Sequence, residues 1–531
     1  MKGNIVMKNN FLILILVLVC LIDIHAQNPT QLRIDPLMLT SLKECRNITK
    51  ALGNELFTGW EFQKTPVLFY RPNVQELLIN FPYKPRGFSD YTGFNPLGSE
   101  TIYFRNDTTL CDIDDQNTSR EIDSISVLIV ADPYSSMRNQ FRDVVSRPKD
   151  WANDWLKGWN FIPSPYDQLQ TILHEAFHVY QNKMAPDKGA DESAVAQYPL
   201  LDPVNNALYV LEGNILKDAL LTYSGDPASR LEKLKEFVAV RSYRQSRLDS
   251  NSVAYENLNE YVEGLAKYIQ YRFLNLGERI EPINEMYYHQ GFNGYRGILS
   301  KLFEDAMRNM VNVVAVNDDR FGNKYGSGPL RFKLYELGAC QALLLDAVMP
   351  SWKEKIFQDT VFLTNLLEKA IPLIASERER YLEKAKQDYQ YDQAYAAKLQ
   401  FEQDGKKQIE QKLAGIMETK QTLIKIFYGG FVERIGLGYT PFGVTQITKR
   451  SAIYDMVPIK VLFKEGITLT MKQVIPVFVD KDKKMIAFAI PTAVSDIQPD
   501  AQNKLETNEF ILTGSKAEWN RQSNTIEIQM K

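Results

Sequence analysis

The chain has 531 residues, 44% of them hydrophobic, with 62 Lys and Arg against 65 Asp and Glu for a net charge of −3. That apolar content and charge balance exclude a disordered chain, and the lack of a basic excess argues against a nucleic-acid partner. The length leaves room for about three to four domain-sized units.

Lys2 and Lys8 precede an uninterrupted apolar run over residues 11–22, and Ile24-His25-Ala26 offers a small-residue cleavage site before Gln27. This is the pattern of a signal peptide over 1–26, and the run is too short to span a bilayer comfortably. No later stretch is a candidate membrane span. The expectation is a soluble chain exported to the periplasm, the cell surface or the medium. Cys45, Cys111 and Cys340 remain after cleavage. Three is odd, so at most one bridge forms within the chain, with Cys45–Cys111 the candidate.

Residues 27–165 read as a mixed α/β part, with strand-like runs at 67–70, 76–81, 101–104 and 124–130 between clusters of Pro, Gly, Asn and Asp. Residues 166–370 carry helical periodicity. The charged segment 371–428 has its only clear break at Asp404-Gly405, which predicts a hairpin of two long helices or one kinked helix. Residues 429–531 turn β-rich, with alternation at 459–463, 474–479 and 525–529, while 435–439 reads as a turn. No fixed-period repeat is present. The fold class is α+β.

Two of the 4 histidines fall in His174-Glu175-Ala176-Phe177-His178. On a helix, residues four apart share a face, and this segment reads as helical. Ser164 suits an N-cap and Pro165 the first helical position. Leu169, Ile172, Leu173, Ala176, Phe177 and Tyr180 recur at helical spacing, and Pro186 and Gly189 stop the pattern. His174 and His178 can then present two imidazoles to one metal ion, Zn²⁺ by the motif, with Glu175 beside them as general base.

The spacing excludes a third histidine shortly after the motif, because Gln181 and Met184 stand where a Gly and a His would be. A carboxylate on a later helix is the expected third ligand. The helix predicted over 251–275, capped at Asn251 or Ser252 and ended by Gly277, carries Glu256, Glu260 and Glu263 on one face. An interior glycine, Gly264, marks a close approach there.

Glu263-Gly264-Leu265-Ala266-Lys267-Tyr268 resembles the third-ligand segment of the gluzincin zinc metallopeptidases, in the forms found in the aminopeptidase-N/leukotriene-hydrolase and glycyl-aminopeptidase families. The resemblance implies Glu263 as the zinc ligand and Glu260 as a support that orients a ligating imidazole, with Glu260 the alternative ligand. Tyr335-Glu336-Leu337-Gly338 is similar to the Tyr-x-x-Gly helix of the same families, where the Tyr hydroxyl steadies the oxyanion. His289 is the alternative for that role.

The resemblance spans about residues 174–346 and implies a zincin-like catalytic domain, its N-terminal part β-rich and the remainder mainly helical. The stretch between His178 and Glu263 is longer than in the compact aminopeptidases, and a helical insertion around 231–247 is expected to fill it. The Gly-x-Met-Glu-Asn segment that captures a substrate amine is missing, with Gly98-Ser99-Glu100 only a weak echo, so exo- and endo-cleavage stay open. The strand at 124–130 is expected at the sheet edge, where an extended substrate adds as a strand. The resulting expectation is an exported zinc metallopeptidase acting on a peptide or protein substrate. The alternatives are a catalytically inactive zincin-fold binding protein, using the helical hairpin and C-terminal part for its contacts, or a zinc hydrolase of a non-peptide bond.

Overall fold

A computed structural model describes residues 30–71, 74–107, 117–133, 164–221, 226–316, 323–429, 436–440, 442–463, 466–513 and 517–530. Residues 1–26, expected to be a signal peptide, and Cys111 lie outside them. Cys45 is a buried free thiol in helix α1 (Leu37–Leu52), where it donates to the Leu169 carbonyl.

Alternating apolar residues build the first sheet from β1 (Val67–Arg71), β2 (Gln75–Ile79), β3 (Ser89–Asp90), β4 (Ile102–Asn106), β5 (Thr118–Ile122) and β6 (Ile125–Ala131), in the order β3-β4-β2-β1-β6-β5. Val67 and Phe69 face the main core, while Leu68 and Tyr70 pack on the other face with Leu78, Val127 and Ile129. The sequence-predicted edge strand is therefore corrected. β6 is interior, parallel to β1 (Val67↔Leu128) and antiparallel to β5 (Arg120↔Val127). The edge on that side belongs to β5, whose Thr-Ser-Arg-Glu-Ile sequence carries no apolar run to betray it.

The central part is helical: α2 (Pro165–Met184), α3 (Pro203–Leu221), α4 (Pro227–Gln245), α5 (Ser250–Asn259), α6 (Leu265–Leu276), α7 (Leu299–Val316), α8 (Ser327–Val348) and α9 (Leu363–Ala370). α2 is flanked by α1, α6 and β6. The insertion expected around 231–247 is α4, packed on α3. The helix expected at 251–275 is three pieces, because a π-helical turn, Glu260–Gly264, joins α5 to α6. Its cap is Asp249 rather than Asn251 or Ser252. The helix already begins at Ser250, so Asp249 is the residue placed to accept from the backbone N–H of both those residues.

The charged segment also departs from expectation. It forms α10 (Ala375–Asp388) and α11 (Tyr391–Met417), and the chain turns at Gln390, where φ is +51°, instead of at Asp404-Gly405. Gly405 sits inside α11 because its surface is pressed close: a Cβ there would lie 2.8 Å from Tyr325 Cδ1 and 2.9 Å from Leu201 Cδ2. The two helices pack on α4 and α3 more than on each other. The helical part stops at Met417, because the next segment is already a strand of the C-terminal sheets.

Those sheets comprise β7 (Thr422–Phe427), β8 (Gly436–Gly438), β9 (Val444–Thr448), β10 (Ser451–Tyr454), β11 (Lys460–Leu462), β12 (Thr468–Met471), β13 (Val477–Asp480), β14 (Met485–Ile490), β15 (Leu505–Glu506), β16 (Phe510–Thr513), β17 (Ala517–Gln522) and β18 (Thr525–Met530). The seven-stranded sheet runs β17-β18-β7-β14-β13-β10-β9 and the five-stranded one β15-β16-β12-β11-β8. Gly436–Gly438, expected as a turn, is thus an edge strand paired with β11. The molecule is mixed α+β, with an N-terminal sheet, a helical middle and β-rich C-terminal sheets. No described helix is long and apolar enough to cross a membrane.

Candidate metal centre

Helix α2 forms where its pattern places it. Ser164 caps it by accepting from Asp167 N–H, Pro165 occupies the first turn, and Leu169, Ile172, Leu173, Ala176 and Phe177 are buried on its inner face. His174 and His178 stand one turn apart with their Nε2 atoms 3.2 Å from each other. Glu263 Oε2 lies 3.5 Å from each of these nitrogens. Ligand atoms held about 2.0–2.2 Å from one ion at tetrahedral angles stand roughly 3.3–3.6 Å apart. The two imidazoles and one carboxylate thus fit around a single cation. They are the group among the described residues with metal-ligand geometry.

The second nitrogen of His178 settles its tautomer. Nδ1 is 2.9 Å from Gln181 Oε1, and Gln181 in turn donates through Nε2 to the Tyr261 carbonyl at 2.7 Å. With Nδ1–H donated to Gln181, Nε2 is the nitrogen turned toward the other two groups. His174 Nδ1 is buried with no hydrogen-bond partner among the described residues.

Burial pushes His174 down to about 4, so it stays neutral. Burial also disfavours the charged form of His178, but the Glu263 and Glu175 carboxylates outweigh it and hold that imidazole up at about 9. Burial would raise Glu263 as well. Hydrogen bonds from both imidazoles and the charge of Arg331 prevail and keep it ionised.

Glu175 follows the first histidine, and burial raises its carboxyl to about 7. None of the hydrogen bonds among the described residues takes that carboxylate, so it is free to accept a proton near neutrality. Tyr335, on α8, has its ring centroid 6.4 Å from that of His174. Burial and the neighbouring Glu263 raise the phenol well above its ordinary range, leaving a neutral O–H donor at the site. Arg331, one turn earlier on the same helix, reaches Glu263 Oε1 at 3.1 Å and Tyr335 Oη at 3.4 Å.

The wide turn separates the three acids that the sequence pattern places on one face. Glu263 points to the imidazoles. Glu256 and Glu260 turn into a buried network instead, where Arg244 holds Glu256 at 2.6 Å and 2.9 Å and Arg241 bonds both Glu260 and Glu212. The expected role of Glu260 is corrected on this point. It is 1% exposed, held by Arg241 and Gln341, and forms no contact with either imidazole. The imidazole-orienting residue is Gln181.

The close approach expected at Gly264 is present. A Cβ there would meet Gly338 Cα at 2.6 Å, and one at Gly338 would meet Glu260 O at 2.6 Å. The two glycines bring the turn bearing Glu263 against the helix bearing Tyr335. His289 is not brought to the site. It is half-buried, faces the charge of Asp35, and ends the short 3-10 turn Asn284–Tyr288. Glu100 of the Gly98-Ser99-Glu100 segment pairs with Arg46 instead. A cleft of about 740 Å³ runs along β5 and the far end of α2, lined by Ser119, Arg120, Tyr180, Asn182 and Lys183, but by none of the three ligand candidates.

Sequence reasoning missed Gln181 and Arg331. The signals were spacings: Gln181 three residues past His178, and Arg331 four before Tyr335. Comparison with protein-family models, characterised proteins and solved structures finds no match, so the reading of this centre rests on its own geometry.

Proposed function

We propose that this protein is an exported zinc-dependent peptidase of gluzincin type, acting on peptide or protein substrates. The observation that carries the reading is the convergence of His174 Nε2, His178 Nε2 and Glu263 Oε2 at separations of 3.2 and 3.5 Å beside Glu175. When bound, Zn²⁺ polarises a carbonyl and acidifies a water molecule.

The chain's own residues supply the remainder. Glu175 takes the water's proton and delivers it to the leaving amine, a task suited to a carboxyl raised to about 7. Tyr335 offers its phenolic O–H to the oxyanion that develops on the carbonyl, and that bond strengthens as charge builds. His174, His178 and Glu263 would hold the cation. The leader at 1–26, removed before Gln27, would carry the protein out of the cytoplasm.

The test is metal analysis and a peptide-library assay on the mature chain. Wild type should bind one zinc and cleave, Glu175→Gln should keep the zinc and lose cleavage, and Glu263→Gln should lose the zinc. Wild-type cleavage by Glu175→Gln defeats the mechanism. Stoichiometric zinc without cleavage of any peptide would favour a binding protein, or a hydrolase of another bond.

A further inference from the structure

Arg331 is 5% exposed and has four neighbours within hydrogen-bonding reach. Nη2 donates to Glu263 Oε1 at 3.1 Å and lies 3.4 Å from Tyr335 Oη, while Nη1 bonds Glu192 and Asn259. Glu263 thereby has its two oxygens divided. Oε1 is taken by the guanidinium, and Oε2 is left to the imidazoles. Arg331 is in turn held by a different part of the chain. Phe442, between β8 and β9, lies with its ring 5.5 Å from the guanidinium carbon and 5.4 Å from the Phe332 ring. The start of β9 is pinned to the start of α8 by Val444 N–H donating to Ser327 Oγ at 3.0 Å. Gln446 of β9 donates to the Ala196 carbonyl at 2.9 Å, in the same 3-10 turn that carries Glu192.

We infer that Arg331 is a positioning residue for the metal centre, fixing which oxygen of Glu263 meets the cation, and that Phe442 of the C-terminal β part holds Arg331 in place. The inference rests on the metal-site reading above and assigns the C-terminal sheets a part in it. A carboxylate with two free oxygens can swing between them and tilt. One whose Oε1 is bonded to a guanidinium anchored on two further acceptors cannot, and outer partners of this kind govern metal affinity about 10–100-fold. Charge alone works the other way, because a guanidinium near a cation repels it. The orientation effect is therefore isolated by a variant that keeps the charge and loses the planar fork.

Arg331→Lys is that variant, with Phe442→Leu acting from the C-terminal side. Three quantities are measured on the full mature chain: Zn²⁺ affinity by chelator competition, the visible spectrum of the Co²⁺-loaded protein, and the melting midpoint without metal. Arg331→Lys should bind Zn²⁺ about 10-fold or more weakly and show altered Co²⁺ bands, which a merely structural role would not produce. Phe442→Leu should shift both in the same direction by less, and it decides the matter if Arg331→Lys does not fold. Wild-type Zn²⁺ affinity and an unchanged Co²⁺ spectrum in the folded variant overturn the inference while leaving the metal site standing. Failure of the wild-type chain to bind Zn²⁺ overturns both.

Discussion

The contact between Gly264 and Gly338 gives a sharp test of how the centre is assembled. A methyl group at residue 338 would lie 2.6 Å from Glu260 O, 2.8 Å from Gly264 Cα and 2.9 Å from Glu260 Cα. All three are backbone atoms, so no side chain can rotate away. Restoring an ordinary contact of 3.4 Å requires α8 to retreat from the wide turn by about 0.8 Å. Metal sites tolerate about 0.2 Å. The retreat must therefore break either the Arg331–Glu263 bond or the alignment of Glu263 with the imidazoles. In an unhindered helix the change of Gly to Ala is worth about 1 kcal/mol of added stability, whereas overpacking of this kind costs about 1–3 kcal/mol. Gly415, in α11, is the internal control, because a Cβ there meets nothing within 4 Å. Thermal unfolding of Gly338→Ala and Gly415→Ala in one buffer should place them about 1–3 kcal/mol apart, because the helical gain is common to both, with Gly338→Ala the less stable and Gly415→Ala at or above wild type. Zn²⁺ affinity should fall in the first alone. Equal midpoints for the two variants would refute the close-approach argument.

Two further outcomes follow from the surroundings of the centre. Gln181→Leu removes the partner of His178 Nδ1, and chelator competition should show Zn²⁺ bound about 10–100-fold more weakly; unchanged affinity would deny Gln181 its orienting part. Glu256 titrates at about 2, because burial, which would raise it, is outweighed by Arg244. A depressed carboxyl contributes stability that is full above its ordinary 4.5 and lost as pH falls through 2, here about 3 kcal/mol. Unfolding midpoints of wild type should fall across that window and those of Glu256→Gln should fall less, so parallel slopes would exclude this residue as the source.

Much of the centre was legible because its determinants are local. The cap at Ser164, the period of Leu169, Ile172, Leu173, Ala176 and Phe177, and the i, i+4 histidines all lie within one helix. The strands at 67–70 and 124–130 announced themselves by runs of large apolar residues. What escaped was decided by distant partners. Asn182 donates to Ser119 Oγ at 2.9 Å, linking α2 to an edge strand whose polar sequence gave no pattern. Gly405 reads as a breaker by composition, yet Tyr325 and Leu201 press on it from other segments and demand a residue without a side chain. Arg241 and Arg244 draw Glu256 and Glu260 inward from another helix, which no spacing within 250–276 reveals.

The π turn at Glu260–Gly264 sets the angular phase between the two halves of one rod. The half before it is locked to α4 through Arg244 and Glu256, and the half after it is packed among α2 and α8. Because each residue of a regular helix advances the direction of its side chain by about 100°, deleting one residue within that turn would restore an even winding and leave only one half in phase with its neighbours. Length at this spot is thus as constrained as chemistry. A conservative replacement of Tyr261 or Val262 is a smaller injury than the loss of either.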